Sequence, residues 1–280
     1  MKLKSIKKLL AARFNLWANS ITDENLRKKV IDGTIITGGS IVSLLQNEKP
    51  NDFDLYFRDR STCLAVAEYY AKFFPGKVTI WDGLPADPDR GIPADPQRIS
   101  IRTTPDIVYM GDEEASDESP ELKEDEKFEP VFMSSNAITL SGQIQIVVRF
   151  FGQPEEIHAN YDFVHCTSYW KSWDEELVTP LAALQSIMTK ELNYVGSKYP
   201  LCSLIRLRKF IARGWTINAG QMLKVILQLN ELDLFNIAVL QEQLVGVDSA
   251  YFAQLLEALE GTDPAKLNAA YISEIIDRIF

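Results

Sequence analysis

In the stretch "ITGGSIVSLLQNEKPNDFDLYF", residues 36–57, Gly38-Gly39-Ser40 closes a β-branched run, and Asp52 and Asp54 flank one phenylalanine. Glycine has no Cβ, so a ligand can come close to the backbone there. A turn from strand into helix leaves the first N–H groups of the helix without partners inside it. Anions settle at such turns, and the Ser40 hydroxyl adds a donor. Asp52 and Asp54 lie at i and i+2, so on a strand both leave from one face while Phe53 and Leu55 point to the other. Two neighbouring carboxylates repel unless a cation neutralises them. Oxygen-only ligation suits Mg²⁺, which completes its sphere with water and phosphate oxygens.

Each group alone has a plain structural explanation. Gly-Gly turns serve packing, and paired acids can be a solvated strand face. The spacing argues for the two acting together. Eleven residues separate Ser40 from Asp52, enough for one helix and a turn back to the adjacent strand. The phosphate cradle and the acids then meet at one end of a sheet.

The surrounding sequence supplies elements to hold them. Residues 5–31 carry apolar positions at three- and four-residue steps and predict a helix. "GTIITGG" (33–39) predicts a strand entering a tight turn, "SIVSLLQNE" a short helix capped by Ser40, and "DFDLYF" (52–57) a strand. "TCLAVAEYYAKFF" predicts a second amphipathic helix and "KVTIW" another strand. The near-duplication "GLPADPDR" (83–90) and "GIPADPQR" (91–98) reads as loop, with no function attached. "NAITL", "QIQIVVRF" (143–150) and "DFVHCTSYW" (162–170) read as strands, and "PEEIHANY" as a short helix opened by proline. From about residue 175, helical periodicity continues almost to Phe280, with breaks near Tyr199-Pro200, Gly214, Gly246 and Gly261-Thr262. The expected organisation is α+β: a mixed-sheet head over 1–174, with loop and acidic insertions at about 82–130, followed by an all-helical domain over 175–280.

Composition bounds the function classes. At 280 residues, 46% hydrophobic and 24% charged, the chain can bury a full core. It has no run of about 18 apolar residues, which argues against a membrane span. Three scattered cysteines (Cys63, Cys166, Cys202) give neither a disulfide framework nor a zinc site, and a cytoplasmic location is expected. The net charge is −10, but residues 111–130 hold ten acids and two lysines, a net of −8. The rest of the chain is near −2, so the global charge does not exclude a nucleic-acid partner.

At this point a resemblance becomes specific. The Gly-Gly-Ser…Asp-Phe-Asp stretch resembles the polymerase-beta-like nucleotidyltransferases, and more narrowly the head of class II CCA-adding enzymes and bacterial poly(A) polymerases. "GGSIVSLL" keeps that family's glycines and leucines, with Val42 and Ser43 where the family has Arg-Asp. "NYDFVHCTSY" (160–169) resembles its Arg-Arg-Asp-Phe-Thr-x-Asn-Ala motif. Asp162-Phe163 match, Asn160 and Tyr161 replace the arginines, and Cys166 replaces the asparagine. "YPLCSLIRLRKFIARGWTI" (199–217) resembles the motif opening the helical neck, through Pro200, Leu204, Arg206, Lys209, Phe210, Gly214 and Trp215. No Glu-Asp-x-x-Arg base-selecting segment is found. Residues 33–57 match well and 155–217 loosely.

The resemblance implies an enzyme that moves a nucleotidyl group from a nucleoside triphosphate such as ATP to a hydroxyl, with Mg²⁺ (alternatively Mn²⁺) as a two-ion cofactor. Asp52 and Asp54 would be catalytic metal ligands, and Asp162 a third carboxylate or a ribose contact. Gly38, Gly39, Ser40, Arg206 and Lys209 would bind the nucleotide. RNA, tRNA or protein would be the acceptor partner, and no membrane is involved. The lost arginines keep a second expectation open, a catalytically silent nucleotide- or RNA-binding relative or interaction module. A third is a toxin-like enzyme that nucleotidylates tRNA or a host protein.

Overall fold

The computed structural model describes residues 1–86, 94–104, 128–244, 249–259, 262–263 and 266–279. The acidic run of 111–130 falls almost wholly outside these residues, as do the middle of the near-duplication and the break at Gly246. The fold is mixed α+β, and the chain divides into two compact units. Of the described residues, the first comprises 1–86, those within 94–161, and 165–189; the second comprises 162–164 and those within 190–279.

The first unit is built on a seven-stranded sheet. In chain order its strands are β1 (Thr34–Thr37), β2 (Phe53–Phe57), β5 (Pro130–Met133), β6 (Ala137–Leu140), β7 (Ile144–Val147), β8 (Tyr169–Lys171) and β9 (Leu177–Val178); β3 (Val78–Leu84) and β4 (Asp95–Thr103) form a separate antiparallel pair. The large sheet runs β5-β6-β7-β2-β1-β8-β9. β2 and β7 are parallel; the other neighbours are antiparallel. Strand alternation divides β2 between two environments. Phe53, Leu55 and Phe57 join the main core with Phe14, Trp17 and Trp170, beneath helices α1 (Leu3–Ser20), α2 (Glu24–Gly33) and α4 (Arg60–Ala71). On the opposite face Tyr56 packs with Ile35 and Ile157, bordered by Tyr161, Tyr169 and Trp173.

Several local expectations change. The helix expected over 5–31 is two helices, broken at 21–23. Asp23 caps the second, its Oδ1 accepting from the amides of Asn25 and Leu26 at 2.9 and 3.1 Å. The periodicity ran through this cap because Ile21 and Leu26 are both buried. Part of the near-duplication read as loop is strand: β3 reaches Leu84 and β4 begins at Asp95. Arg60 braces this hairpin, ion-pairing with Asp82 and donating to the Gln97 carbonyl. The strand expected over 162–170 is mostly irregular, with a 3₁₀ turn at Val164–Cys166 and strand only from Tyr169. Its backbone groups are spent elsewhere, for example Val164 N–H on the Asn193 carbonyl. After β9 comes α6 (Leu181–Thr189).

The second unit contains α7 (Pro200–Ala212), α8 (Ala219–Leu229), α9 (Ile237–Leu244), α10 (Ser249–Leu259) and α11 (Ala269–Ile279). Leu240, Leu244, Leu255, Leu259 and Ile275 form its core. α8 buries only Val225 and leaves Met222, Leu223, Ile226 and Leu227 exposed. Among the described residues no helix is long and apolar enough to cross a membrane.

Candidate functional site

β1 ends at Thr37, and Gly38 turns the chain with φ 94° and ψ −149°, a conformation open essentially to glycine alone. Helix α3 (Gly39–Leu45) follows at once. Its N-cap is therefore Gly38, and Ser40 does not cap it. The expected bare amides are also partly committed: the Gly38 N–H donates to the Cys166 carbonyl at 3.2 Å. The Ser40 hydroxyl is 2% exposed and without a hydrogen-bond partner. A buried hydroxyl in that condition costs stability unless a ligand or water meets it. Gly39 is exposed, with no described atom within 4 Å of where a side chain would start.

Sheet register brings the acid to this turn. Thr37 is paired opposite Asp54, and cross-strand partners share a face. A Cβ built on Gly38 would lie 3.0 Å from Asp54 Oδ2 and 3.6 Å from Tyr161 Oη. The Asp54 carboxylate thus faces the glycine corner. Asp52 sits one residue ahead of β2 and is exposed, whereas Asp54 is half-buried. Following the pairings sideways, Tyr169, Thr37, Asp54, Gln145 and Thr139 form one polar row across β8, β1, β2, β7 and β6.

Behind the corner lies a polar cluster that motif reading missed. Thr37 Oγ1 donates to the Ser168 carbonyl at 2.9 Å, so at 2.8 Å it accepts from His158 Nε2, which places the ring proton there. The His158 ring lies 5.0 Å from that of Tyr161 and 5.6 Å from that of Tyr169. Burial holds His158 neutral, bringing its pKa down to about 4 against a small upward pull from Glu155. Burial also pushes the Tyr161 hydroxyl well above its usual range, and Tyr56 and Asp54 add to the effect. His165 likewise falls to about 4 through burial, with Cys166 Sγ 3.2 Å from its Nε2. The available sequence signal was His158 and Tyr161 three apart on α5 (Pro154–His158) and its continuation, the spacing of one helix face.

The remaining sequence-derived candidates lie in the second unit. Asp162 is 6% exposed. Arg206 Nη1 stands 3.0 Å from its Oδ2, close enough for an ion pair but too bent for a hydrogen bond. Arg206 Nη2 also contacts Cys202 Sγ at 3.1 Å. Lys209 is exposed in the last turn of α7.

The donor chemistry at the corner fits a hard divalent cation. Asp54 Oδ2 borders the space that a Cβ on Gly38 would fill, and the exposed Asp52 stands one residue ahead of the same strand. Among the described residues, no three His, Cys, Asp or Glu side chains form a metal cluster.

The fold is α+β, and solved structures of CCA-adding enzymes align with it. The Thermotoga maritima CCA-adding enzyme complexed with tRNA aligns at TM-score 0.42 and 13% identity, covering 94% of this chain and 53% of that one. The Bacillus stearothermophilus CCA-adding enzyme in complex with CTP aligns at TM-score 0.40 and 14% identity, covering 92% and 53%. The chain belongs to the Gabija anti-defense 2 family, whose sequence profile matches residues 8–190. A curated relative, "Gabija anti-defense 2" of Bacillus phage SPbetaL7, is 20% identical over 230 residues. That alignment takes in 80% of this chain and 44% of the relative, so the chain spans less than half of the relative's length.

Proposed function

We propose that the chain is a Mg²⁺-dependent nucleotidyltransferase that moves a nucleoside monophosphate from a nucleoside triphosphate to a hydroxyl acceptor. The observation that carries this reading is the Asp54 carboxylate turned toward Gly38, where a Cβ would come within 3.0 Å of it. In the reaction, the acceptor oxygen bonds to the α-phosphorus and the bond from the α-phosphorus to the bridging oxygen breaks. Pyrophosphate leaves with that electron pair, and the hydroxyl proton passes to a base or to solvent. Asp52 and Asp54 would hold Mg²⁺, which when bound supplies Lewis-acid polarisation of the phosphate oxygens. The exposed Gly39 would admit a phosphate to the backbone, and the unpartnered Ser40 hydroxyl would hydrogen-bond to it. The head and its helical partner would divide at about residue 174. Lys209 would be the basic contact on α7, since Arg206 stands against Asp162.

The acceptor class is an RNA 3′ end, a protein side chain or a small molecule. The name of the phage relative attaches to countering a defence called Gabija. Carried to this chain, it makes a component of such a defence the first acceptor to try. The test is incubation with each labelled triphosphate, Mg²⁺ and either total RNA or protein from cells with and without that defence. Label incorporation is expected from the native chain and not from Asp52→Ala/Asp54→Ala. Equal incorporation by both would overturn the reading.

One observation favours a second reading, a silent nucleotide-binding relative. Asn160 and Tyr161 stand where the resemblance places arginines, which removes two phosphate contacts. Calorimetry separates the two: triphosphate binding unchanged by chelating Mg²⁺, with no turnover, belongs to the silent protein.

A further inference from the structure

We propose that the outward face of the β3–β4 hairpin is a docking surface for single-stranded nucleic acid. A base stacks on the Arg102 guanidinium that lies over Trp81, and the strand's phosphates run past Arg102 and Lys77. The proposal does not rest on the reading of Asp52 and Asp54, and it is tested without triphosphate or metal.

The hairpin is local to the first unit, and its register sorts the side chains onto two faces. Val78, Ile80, Ile99 and Ile101 share one face; Ile99 and Ile101 join the main core, and Val78 and Ile80 pack against it. The other face carries Thr79 opposite Arg102 and Trp81 opposite Ser100. Ser100 is buried, Trp81 half-buried, and Thr79 and Arg102 exposed. Arg102 Cζ stands 3.4 Å from the centre of the Trp81 ring, a separation at which the planar guanidinium rests against the indole. The exposed Arg102 side chain then offers its outer side to a base and its edge N–H groups to phosphate oxygens. Lys77 stands exposed one residue ahead of β3, at the open end of the hairpin, where its carbonyl accepts from the Thr104 N–H at 2.9 Å. The two acids within β3 and β4 are each met by an arginine from outside the hairpin, Asp82 by Arg60 and Asp95 by Arg149. They are thereby offset as a source of repulsion toward an anion.

A single strand makes two demands that this face meets at one point. Its unpaired bases present flat faces, which stack on aromatic rings or guanidinium planes, and its phosphates seek cations. A duplex hides its base faces, and an acidic peptide would use the charge alone. Neither a base face nor a phosphate distinguishes ribose from deoxyribose, so RNA and DNA strands are taken alike. If Arg102 and Trp81 served only as a cross-strand pair that fastens the hairpin, nucleic acid would be indifferent to their replacement.

The experiment follows the fluorescence anisotropy of a labelled mixed-sequence DNA strand of about 12 nucleotides, titrated with the full chain over a salt series. The native chain is expected to bind it, to bind the duplex of the same sequence more weakly, and to release it equally to unlabelled RNA and DNA strands. Trp81→Leu should weaken binding about 5- to 150-fold, the worth of one stacked base, with the salt dependence unchanged. Arg102→Gln should also flatten the slope of log affinity against log salt by about 0.7. Arg102→Lys should keep that slope and still lose affinity, because an ammonium has no plane to stack on. Trp81→Phe keeps a ring beneath the guanidinium and should bind nearly as the native chain does, which separates lost stacking from a lost hairpin. Native affinity in both Trp81→Leu and Arg102→Lys means that the pair only fastens the hairpin, and overturns the proposal. So does a duplex bound as tightly as the single strand, or displacement of the strand by polyglutamate of equal charge, which would mark an acidic protein as the partner.

Discussion

Two acids singled out by the same sequence resemblance stand in opposite circumstances. Asp54 is half-buried at a sheet end, its Oδ2 3.0 Å from where a Cβ on the buried Gly38 would stand. Asp162 is buried in the other unit with a guanidinium against it. Both follow motif-like neighbours, and both were candidates for the same reaction. The difference teaches that one motif resemblance can lead to two environments: a glycine without a side chain against Asp54, a guanidinium against Asp162.

Exchanging amides for the two acids should split activity from stability. Asp54→Asn is expected to lower nucleotide incorporation by about 1000-fold, equivalent to about 4 kcal/mol, with the urea midpoint nearly unchanged. Asp162→Asn should do the reverse. If both variants lose activity equally while remaining folded, the contrast fails and Asp162 joins the reacting site. Removing the cation sharpens the same point. Arg206→Ala leaves the Asp162 carboxylate buried without its partner and should cost about 3 kcal/mol in denaturant unfolding. That is the low end for buried pairs, because the Arg206 side chain is 39% exposed.

A pH series tests the face behind Asp54. His158 and His165 have folded pKa values of about 4, lowered by burial from an ordinary 6.5. Below 6.5 the unfolded chain takes up protons that the folded chain refuses. Their stabilising effect is therefore complete above pH 6.5 and is lost as pH falls toward 4. At pH 5 the loss is about 2 kcal/mol per histidine, measurable as a falling urea midpoint. His158→Gln should flatten that slope. A further test falls on the turn itself. Gly38→Ala forces a side chain into a glycine-only conformation and should cost about 1–3 kcal/mol. Its methyl also presses on Asp54 Oδ2, so activity should fall by more than the lost stability accounts for.

The strand, turn and acid spacing of residues 34–57 was readable because alternation and glycine are local signals. Phe53, Leu55 and Phe57 are core residues, as the pattern required. Ser40 was misread as a cap because a preceding glycine with positive φ can end the strand and start the helix by itself. The 162–170 segment looked like a strand because it is apolar and β-branched in part. Its Val164 N–H, however, donates to the Asn193 carbonyl and its Asp162 carbonyl accepts from the Val195 N–H, a partnership no periodicity encodes. Tyr161, His158 and Thr37 escaped for the same reason. They meet through sheet register and helix placement, of which the three-residue spacing of His158 and Tyr161 is the one local hint.

The five-strand polar row has a consequence for how this region can vary. A shift of β2 by one position against β1 would exchange Asp54 and Tyr56 with Phe53, Leu55 and Phe57, driving a carboxylate among Phe14 and Trp17. The hydrophobic core therefore fixes the place of Asp54 against Gly38. Insertions or deletions between 46 and 51 survive only when the turn absorbs them without moving that frame, so any chain in which this part folds also delivers the acid to the glycine.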